Sequence, residues 1–288
     1  MTADNSIELD VTVVKCGGTV GMDLAGVCAA VGAAVADSHR VVLVHGGSGD
    51  AVRLAARLGV PLRQMVAPDG SVSRYTDSAA MEVLTLAWTG CVKPALVTAL
   101  TRNGVPCVGL TGLDGGLLGA RRTTAQRAVV DGRTMVVRDD HSGRITSVRA
   151  DILHTLLGAD LVPVVSPPAL ASDGTVVNID ADRIAAAIAA GLGARRLVLL
   201  TAAPGVLADP HDAQTVLDVY HPPSDGGRDP SIAGGMAVKL AAAQTALDGG
   251  VQEVLVADGR SADGTRHALA GSGGTRILPP TTGKACRR

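Results

Sequence analysis

Apolar runs alternate with helical patterns along most of the chain, and the first two runs end directly in glycine. The run Val11-Thr-Val-Val-Lys-Cys-Gly-Gly18 places one lysine and two glycines after a valine-rich stretch. The run Val41-Val-Leu-Val-His-Gly-Gly-Ser48 ends in the same way. Such runs predict buried parallel strands that bring polar groups and backbone N–H groups to the carboxyl edge of a sheet. Two glycine turns side by side predict a cradle for a polyanion.

Helical patterns separate these strands. Asp23 is expected to cap an alanine-rich helix that ends at Ala36, and Asp180 to cap another. Helices are predicted over about 23–36, 50–58, 77–102 (with a break near Gly90 and Pro94), 182–192 and 234–247, and strands over 11–16, 41–44, 105–110, 161–165, 176–178, 197–200 and 251–257. This alternation predicts an α/β protein, an open, mainly parallel αβα sandwich.

Four segments depart from the alternation. Residues 60–75 are expected to form an exposed hairpin or loop, and alternating stretches in 119–149 predict hairpins laid on the main sheet. The Pro- and Gly-rich segment 209–230 is expected to be a mobile loop, and the tail 279–288 to be disordered. We expect two lobes, an N-terminal one over 1–168 and a C-terminal one over 169–288.

Composition excludes several function classes. The 288 residues include 36 glycines, no Phe, one Trp and two Tyr, so base stacking on aromatic platforms is disfavoured. A net charge of −1 gives no reason to expect nucleic acid or membrane as a partner. We find no apolar run long enough to span a membrane and no signal peptide, and five unpaired cysteines fit a reducing compartment. The expected location is therefore the cytoplasm.

The familiar catalytic motifs are missing. The chain has no Walker A loop, no protein-kinase motif set and no zinc-binding cluster, so no metal site built from side chains is predicted. Gly18-Thr-Val-Gly21 loosely resembles a dinucleotide turn, but His45 stands where that fold places an acidic residue. Cys16 is interpreted as a buried thiol rather than a nucleophile, since no nearby His follows it.

Lysine is scarce, which draws attention to where it occurs. The chain has four lysines against 22 arginines, and Lys15 and Lys239 both lie at glycine-rich ends of elements. A lysine is a compact point charge suited to a moving phosphoryl group. Asp182, at the start of a predicted helix, is the candidate to hold both ammonium groups.

Six motifs in order resemble the amino-acid kinase family, with the N-acetylglutamate kinases as its nearest branch. They are Lys15-Cys-Gly-Gly18, His45-Gly-Gly47, Ser73-Arg-Tyr-Thr-Asp77, Gly109-Leu-Thr-Gly-Leu-Asp-Gly115, Asn178-Ile-Asp-Ala-Asp182 and Gly235-Met-Ala-Val-Lys239. The resemblance covers about residues 10–278. It implies phosphoryl transfer from ATP, with Mg²⁺ held mainly by the nucleotide phosphates, to a side-chain carboxylate.

The resemblance also implies roles for individual residues. Lys15 and Lys239 would neutralise charge on the transferring phosphoryl group, and Asp182 would orient them. The implied substrate-binding residues are Gly46, Gly47, Arg74 and Asn178, and the implied ATP-binding residues are Gly17, Gly18, Thr201, Gly205, Gly235 and Met236. Positioning and charge neutralisation are what phosphoryl transfer needs, without a protein nucleophile.

Two readings within the family compete. The string Ser73-Arg-Tyr-Thr-Asp77 and Ser166-Pro-Pro-Ala169 look more like kinases that act on glutamate or 2-aminoadipate attached to a small acidic amino-group carrier protein. The alternative is a free N-acetylglutamate kinase of arginine biosynthesis. Residues 121–149 contain seven arginines against three aspartates, which an acidic carrier would explain, although a solvated basic surface would look the same. The candidate carrier-binding residues are Arg121, Arg122, Arg127, Arg138 and Arg144.

Three positions depart from the family pattern. Lys93 replaces a frequent Asn, Ala202 replaces a frequent acidic residue, and Ala237-Val238 lacks a basic residue. An inactive regulatory binder and a nucleotide-phosphorylating relative remain as minor alternatives. The ten residues before the first strand leave no room for the extra N-terminal helix of arginine-inhibited hexamers, so we expect a homodimer without arginine feedback.

Overall fold

The computed structural model of the chain describes residues 10–18, 21–68, 70, 72–223, 232 and 234–280. Eight strands form the central sheet: β1 (Val11–Cys16), β2 (Arg40–His45), β5 (Cys107–Thr111), β10 (Val162–Ser166), β13 (Arg196–Thr201), β14 (Val219–Tyr220), β15 (Glu253–Asp258) and β16 (Thr275–Ile277). Their order is β14-β16-β15-β13-β1-β2-β10-β5. All neighbours pair in parallel except β15 and β16. The prediction of a mainly parallel sheet is confirmed.

Helices cover both faces of this sheet. One face packs against α1 (Leu24–Ala36), α4 (Lys93–Arg102) and α8 (Ala262–Leu269), and the other against α5 (Ala150–Gly158), α6 (Ala181–Gly191) and α7 (Gly234–Asp248). Successive strand residues alternate between the faces: Val13 belongs to one apolar cluster and Val14 to the other. The αβα sandwich expected from the alternating pattern is therefore present.

Carboxylate caps explain where two of the helices begin. Asp23 accepts a hydrogen bond from Gly26 N at 2.9 Å at the start of α1. Asp180 accepts one from Asp182 N at 2.8 Å at the start of α6. Each bond satisfies an N–H group that has no partner within the helix, so both predicted caps are confirmed. The helix α2 (Ser48–Leu58) begins two residues earlier than expected, directly after Gly47.

The break expected near Gly90 and Pro94 is a wide helical turn. The helix α3 (Ser78–Leu86) continues through a π-helical segment, Ala87–Val92, into α4 without leaving the helical path. Pro94 has no N–H group to donate to the preceding turn, which is the usual reason for a local change of helical winding.

This helical run corrects one expectation from the sequence. By length and composition alone, the run 78–102 is long and apolar enough to cross a membrane, since an 18-residue window within it has a mean hydropathy of 1.5. Its side chains Leu84, Trp88, Leu96 and Leu100 are buried in the apolar clusters of the fold. We interpret the run as a core helix of the sandwich, since such helices pass the same test.

Two small sheets cover the carboxyl edge region, as the hairpin patterns predict. One has the order β4-β3-β7-β8 and the other β12-β11-β6-β9. Their strands are β3 (Gln64–Val66), β4 (Val72–Arg74), β6 (Leu118–Arg122), β7 (Gln126–Val130), β8 (Arg133–Val137), β9 (Gly143–Val148), β11 (Ala169–Ala171) and β12 (Val176–Val177).

Some elements were not expected. The helices α5 and α8 and the strands β14 and β16 have no counterpart in the sequence prediction. The strand β14 lies within the segment 209–230 that we expected to be a mobile loop, and it pairs with β16 at the edge of the main sheet. Residues 224–230 of that segment and 281–288 of the tail lie outside the described residues.

Candidate active site

Two lysines and one aspartate meet at the carboxyl edge of the main sheet. Lys15 lies near the end of β1, Asp182 in the first turn of α6 and Lys239 in α7. Lys15 Nζ is 2.9 Å from Asp182 Oδ1, and Lys239 Nζ donates to Asp182 Oδ1 at 3.0 Å and Oδ2 at 2.9 Å. All three side chains are buried, with 4% to 9% of each residue exposed.

The cluster has a net positive charge, because two lysine ammonium groups face one carboxylate. Burial by itself raises the pKa of the Asp182 carboxyl, but the ammonium groups of Lys15 and Lys239 more than offset this and hold it below its usual range. Burial, and then repulsion from Lys15, lowers the pKa of Lys239. An uncompensated charge in a buried site is costly, so the cluster favours binding of an anion.

The two predicted glycine turns pack on each other beside this cluster. Gly49 N donates to Gly18 O at 2.9 Å, and a Cβ built on Gly18 would lie 2.6 Å from Gly47 Cα. Gly47 in turn lies against the π-helical segment, because a Cβ there would be 2.9 Å from a methyl carbon of Val92. Glycine is therefore the residue that lets these backbones approach, and the N-terminus of α2 opens at the same edge.

His45 supports the second turn from within. Its Nδ1 is 2.8 Å from Gly46 O, and the residue is 1% exposed. Burial lowers the pKa of this imidazole to about 4, so it is neutral near pH 7. Its Nε2 is buried and has no hydrogen-bond partner within the part of the chain that the structure describes.

Arg74 and Asn178 flank a common residue, Thr76. Asn178 Nδ2 donates to Thr76 Oγ1 at 3.2 Å, and Arg74 is the last residue of β4, two positions before Thr76. Burial lowers the pKa of the Arg74 guanidinium. Among the described residues this guanidinium has no hydrogen bond or ion pair, so it is available for an anionic ligand.

Four of the six residues expected to bind ATP lie in α7 or in the chain from the end of β13 onward, while Gly17 and Gly18 belong to the first glycine turn. Gly205 and Met236 line a largely apolar cleft of about 270 Å³, together with Ala203, Val206, Leu207, Pro210 and Ile232. Thr201 ends β13, the strand next to β1, and Gly235 lies in the first turn of α7. The structure thus places this cleft and the Lys–Asp–Lys cluster along one helix.

The five candidate arginines are not equivalent. Arg121 and Arg144 are paired across β6 and β9, and Arg127 and Arg138 are exposed on or beside β7 and β8. Arg122 is partly buried, where it donates to Asp140 O at 2.9 Å and to Arg138 O at 3.1 Å. Four arginines therefore point to a basic surface, whereas Arg122 is engaged with the backbone.

Sequence reasoning missed the residues that hold the site together. The Tyr75 hydroxyl donates to Asp139, and Thr76 N donates to Asp140. The Thr76 hydroxyl also accepts from Asn178 Nδ2, so these bonds connect the segments that carry Arg74 and Asn178. The available signal was weak: Asp140 belongs to a pair of acidic residues in an arginine-rich segment, which an exposed hairpin explains equally well.

A mainly parallel αβα sandwich that joins glycine turns to a Lys–Asp–Lys cluster defines a phosphate-binding α/β protein. The sequence profile of the amino acid kinase family matches residues 10–258. The chain therefore belongs to the amino acid kinase family, and the resemblance found in its motifs is confirmed.

Relatives with known names match nearly the whole chain. A LysW-aminoadipate kinase from Deinococcus radiodurans is 37% identical over 267 residues, covering 92% of this chain and 91% of the relative. The protein of the same name from Thermus thermophilus is 37% identical over 266 residues and covers 91% and 98%. An acetylglutamate kinase from Geobacillus thermodenitrificans is 34% identical over 257 residues and covers 86% and 90%.

Solved structures share the fold. An N-acetylglutamate synthase from Neisseria gonorrhoeae matches with a TM-score of 0.72 and 25% identity, over 93% of this chain and 59% of that one. A carbamate kinase from Giardia lamblia bound to AMP-PNP matches with a TM-score of 0.62 and 16% identity, over 94% and 98%. Since the second identity is low, it supports the fold alone.

Proposed function

We propose that the protein is a kinase that transfers the γ-phosphoryl group of ATP to the side-chain carboxylate of an amine-blocked glutamate or 2-aminoadipate. The blocked amine would be attached to a small acidic carrier protein. The observation that carries the proposal is the buried cluster of Lys15, Asp182 and Lys239 beside two glycine turns that pack on each other. Relatives named LysW-aminoadipate kinase support the choice of acceptor.

In the proposed reaction an oxygen of the acceptor carboxylate attacks the γ-phosphorus. The bond from that phosphorus to the β,γ-bridging oxygen breaks, and ADP and an acyl phosphate leave. No proton has to move, so no general base is needed. Lys15 and Lys239 neutralise charge on the phosphoryl group during its transfer, and Asp182 fixes the positions of their ammonium groups.

The glycine turns position the reactants. Backbone N–H groups of Gly17 and Gly18 are proposed to bind phosphate oxygens of ATP, and those of Gly46 and Gly47 the acceptor side. Close packing of the two turns keeps these donors fixed relative to each other, so their orientation costs little when the charge develops.

The nucleotide is proposed to occupy the cleft beside α7. The apolar lining around Gly205 and Met236 suits an adenine ring, while Thr201 ends β13 and Gly235 lies in the first turn of α7, the helix that carries Lys239. Both oxygens of Asp182 are taken by lysines, and no group of three potential metal ligands occurs in the described residues. This donor set fits Mg²⁺ held by the nucleotide phosphates, where it would neutralise charge and orient the γ-phosphoryl group.

The acceptor is proposed to bind through its α-carboxylate. The Arg74 guanidinium has no partner among the described residues, and the Asn178 amide bonds to Thr76, two positions after Arg74; together they are proposed to hold a planar carboxylate. A blocked amine is required because a free amine would attack its own acyl phosphate and close a ring.

The basic surface favours the carrier-bound acceptor. We define the basic surface as Arg121, Arg127, Arg138 and Arg144, which are all exposed and lie on or beside the strands of the two small sheets. A positive surface steers an acidic partner towards the site, and added salt weakens the attraction by screening the charges. The alternative is a free N-acetylglutamate kinase, which the acetylglutamate kinases among the relatives favour.

The remaining expectations complete the proposal. Residues 1–168 are proposed to bind the acceptor and form a homodimer, and 169–288 to bind ATP. We propose a cytoplasmic location, in keeping with the free thiols of Cys16, Cys28, Cys91 and Cys107.

Hydroxylamine trapping of the acyl phosphate tests the function directly. One reaction receives ATP and N-acetylglutamate, and the other receives ATP and an acidic carrier loaded with glutamate or aminoadipate. We expect hydroxamate from the loaded carrier, with weaker turnover at high salt. Efficient turnover of N-acetylglutamate with none of the carrier would establish the alternative, and no turnover of either would reject both.

Charge reversal on the basic surface tests the partner. Arg127→Glu combined with Arg144→Glu is expected to raise the KM for the loaded carrier at least tenfold, because it turns attraction of an acidic protein into repulsion. The matched control is Arg102→Glu combined with Arg57→Glu, on helices outside the basic surface. An equal rise of this KM in both double variants would show that the arginines of the basic surface do not bind the carrier specifically.

A further inference from the structure

A buried carboxylate holds the backbone beside the candidate acceptor-binding residues. Asp140 accepts hydrogen bonds from Thr76 N at 2.8 Å and from Ser142 N at 3.3 Å. It is 1% exposed although it follows exposed residues of an arginine-rich segment. A carboxylate is rarely buried without a structural or functional purpose, because its desolvation must be offset by hydrogen bonds.

Thr76 joins this carboxylate to both candidate residues. Its carbonyl accepts from His141 N at 2.7 Å, and its hydroxyl accepts from Asn178 Nδ2 at 3.2 Å. Asn178 N in turn donates to His141 O at 2.7 Å. The turn at 140–142 therefore bonds to the chain just after Arg74 and to the backbone of Asn178 at once.

Tyr75 provides a second anchor on the same turn. Its hydroxyl donates to Asp139 Oδ1 at 2.6 Å, and its ring lies under the guanidinium of Arg63 at 4.5 Å. The residue is 4% exposed. Because Tyr75 and Thr76 are both fixed, the backbone that carries Arg74 has little freedom.

Arg122 holds the turn from its other side. Its Nε donates to Asp140 O and its Nη2 to Arg138 O, at 2.9 and 3.1 Å. A guanidinium that donates to two backbone carbonyls of one turn restricts the conformation of that turn. This use of Arg122 differs from that of Arg121, the preceding residue, which is exposed.

We propose that the segment 138–142, defined here as the positioning turn, fixes Arg74 and Asn178 for acceptor binding. Asp140 acts on them through Thr76, and Arg122 holds the turn itself. An unpaired guanidinium binds a carboxylate more tightly when its backbone is already ordered, since less freedom is lost on binding. Asp140, Tyr75 and Arg122 are positioning residues, which touch neither substrate nor phosphate. The inference rests on the proposed function for the identity of the acceptor.

Steady-state kinetics of three variants test the inference with whichever acceptor the wild-type protein turns over. Asp140→Ala is expected to raise the acceptor KM roughly tenfold or more, while kcat and the KM for ATP change less than threefold. Asp140→Asn keeps an oxygen acceptor for Thr76 N and is expected to restore most of the loss. The control is Asp173→Ala, because Asp173 also accepts a backbone N–H, from Thr175 at 2.9 Å, but in an exposed turn.

A purely structural role predicts a different result. It would lower the thermal midpoint without a selective rise of the acceptor KM, and that outcome would overturn the proposal. So would equal effects of Asp140→Ala and Asp173→Ala. If Asp140→Ala does not fold, Tyr75→Phe removes only the bond to Asp139 and is expected to raise the acceptor KM about threefold; an unchanged KM would then reject the inference.

Hydrogen exchange separates this inference from the proposed function. In Asp140→Ala, peptides covering 72–78 and 176–180 are expected to exchange faster than in the wild-type protein or in Asp173→Ala. If the wild-type protein phosphorylates neither acceptor, the proposed function fails, and exchange alone decides the positioning role. Unchanged exchange in these peptides would reject it.

Discussion

Gly18 lies so close to Gly47 that the two backbones are in direct contact. A Cβ on Gly18 would stand 2.6 Å from Gly47 Cα and 2.9 Å from Gly47 N. These atoms belong to the backbone and cannot turn aside as a flexible side chain can. The contact fixes the spacing between the turn proposed to bind ATP phosphates and the turn proposed to bind the acceptor.

Gly18→Ala is therefore expected to be strongly destabilising. The forced separation of the two turns should lower the free energy of unfolding by roughly 1–3 kcal/mol, as overpacking does elsewhere. Gly46→Ala is the matched control, because a Cβ there would lie 3.5 Å from Ala181 Cβ, an ordinary contact. Chemical denaturation of both variants checks the prediction, and equal losses would contradict it.

Asp182→Asn should impair turnover far more than folding. The variant leaves two ammonium groups close together with no negative charge between them, so their positions at the phosphoryl group are lost. We expect kcat to fall about 10²- to 10³-fold with an intact circular dichroism spectrum. Lys15→Ala and Lys239→Ala should have similar effects.

The control for this prediction lies on α7. Asp248→Asn makes the same change at the exposed end of that helix, where Asp248 bonds to Gln244. Its turnover should equal that of the wild-type protein. Full activity in Asp182→Asn would reject the role of Asp182 in orienting the lysines, and full activity in Lys15→Ala or Lys239→Ala would remove charge neutralisation by the lysines from the mechanism.

Arg74→Ala should weaken binding of the acceptor alone. Loss of the guanidinium removes a charge-assisted pair of hydrogen bonds to a carboxylate, so the acceptor KM is expected to rise about 10- to 100-fold. The KM for ATP should stay within twofold. Arg57→Ala, an exposed arginine of α2, serves as the control. A comparable rise in the KM for ATP would place Arg74 at the nucleotide instead.

His45 should make stability depend on pH. Burial lowers the pKa of His45 to about 4 from an ordinary value of 6.5, so the folded protein keeps this imidazole neutral while the unfolded chain binds a proton below pH 6.5. Stability is therefore lost as pH falls from about 6.5, and the loss levels off below about 4. Between pH 7 and pH 5 the contribution is about 2 kcal/mol.

Comparison with His45→Gln isolates this contribution. Other titrating groups are shared by both proteins, so their effects cancel in the difference. From pH 7 to pH 5 the wild-type protein should lose about 2 kcal/mol more free energy of unfolding than His45→Gln does. Equal losses in urea denaturation would mean that His45 is protonated in the folded protein or that its pKa is not lowered.

Local sequence determined the elements that have strong local signals. Valine-rich runs such as 11–14 and 41–44 favour buried strands. The caps at Asp23 and Asp180 depend only on backbone N–H groups two or three residues further along the chain. The glycine turns and the family motifs are sufficient to predict Lys15, Asp182 and Lys239 at one sheet edge. The strands β14 and β16 escaped prediction because two or three residues carry no detectable period.

Tertiary structure decided which groups are paired. Lys239 reaches Asp182 across 57 positions of sequence, so only the fold brings its ammonium group to both oxygens of that carboxylate. Arg63 is paired with Asp77, whereas the Arg74 guanidinium has no partner among the described residues, and Arg122 bonds to backbone while Arg121 faces solvent. These choices depend on how two small sheets pack over the main one. The sequence by itself therefore determined the scaffold and the cluster's members, whereas long-range packing decided which charges remain available for ligands.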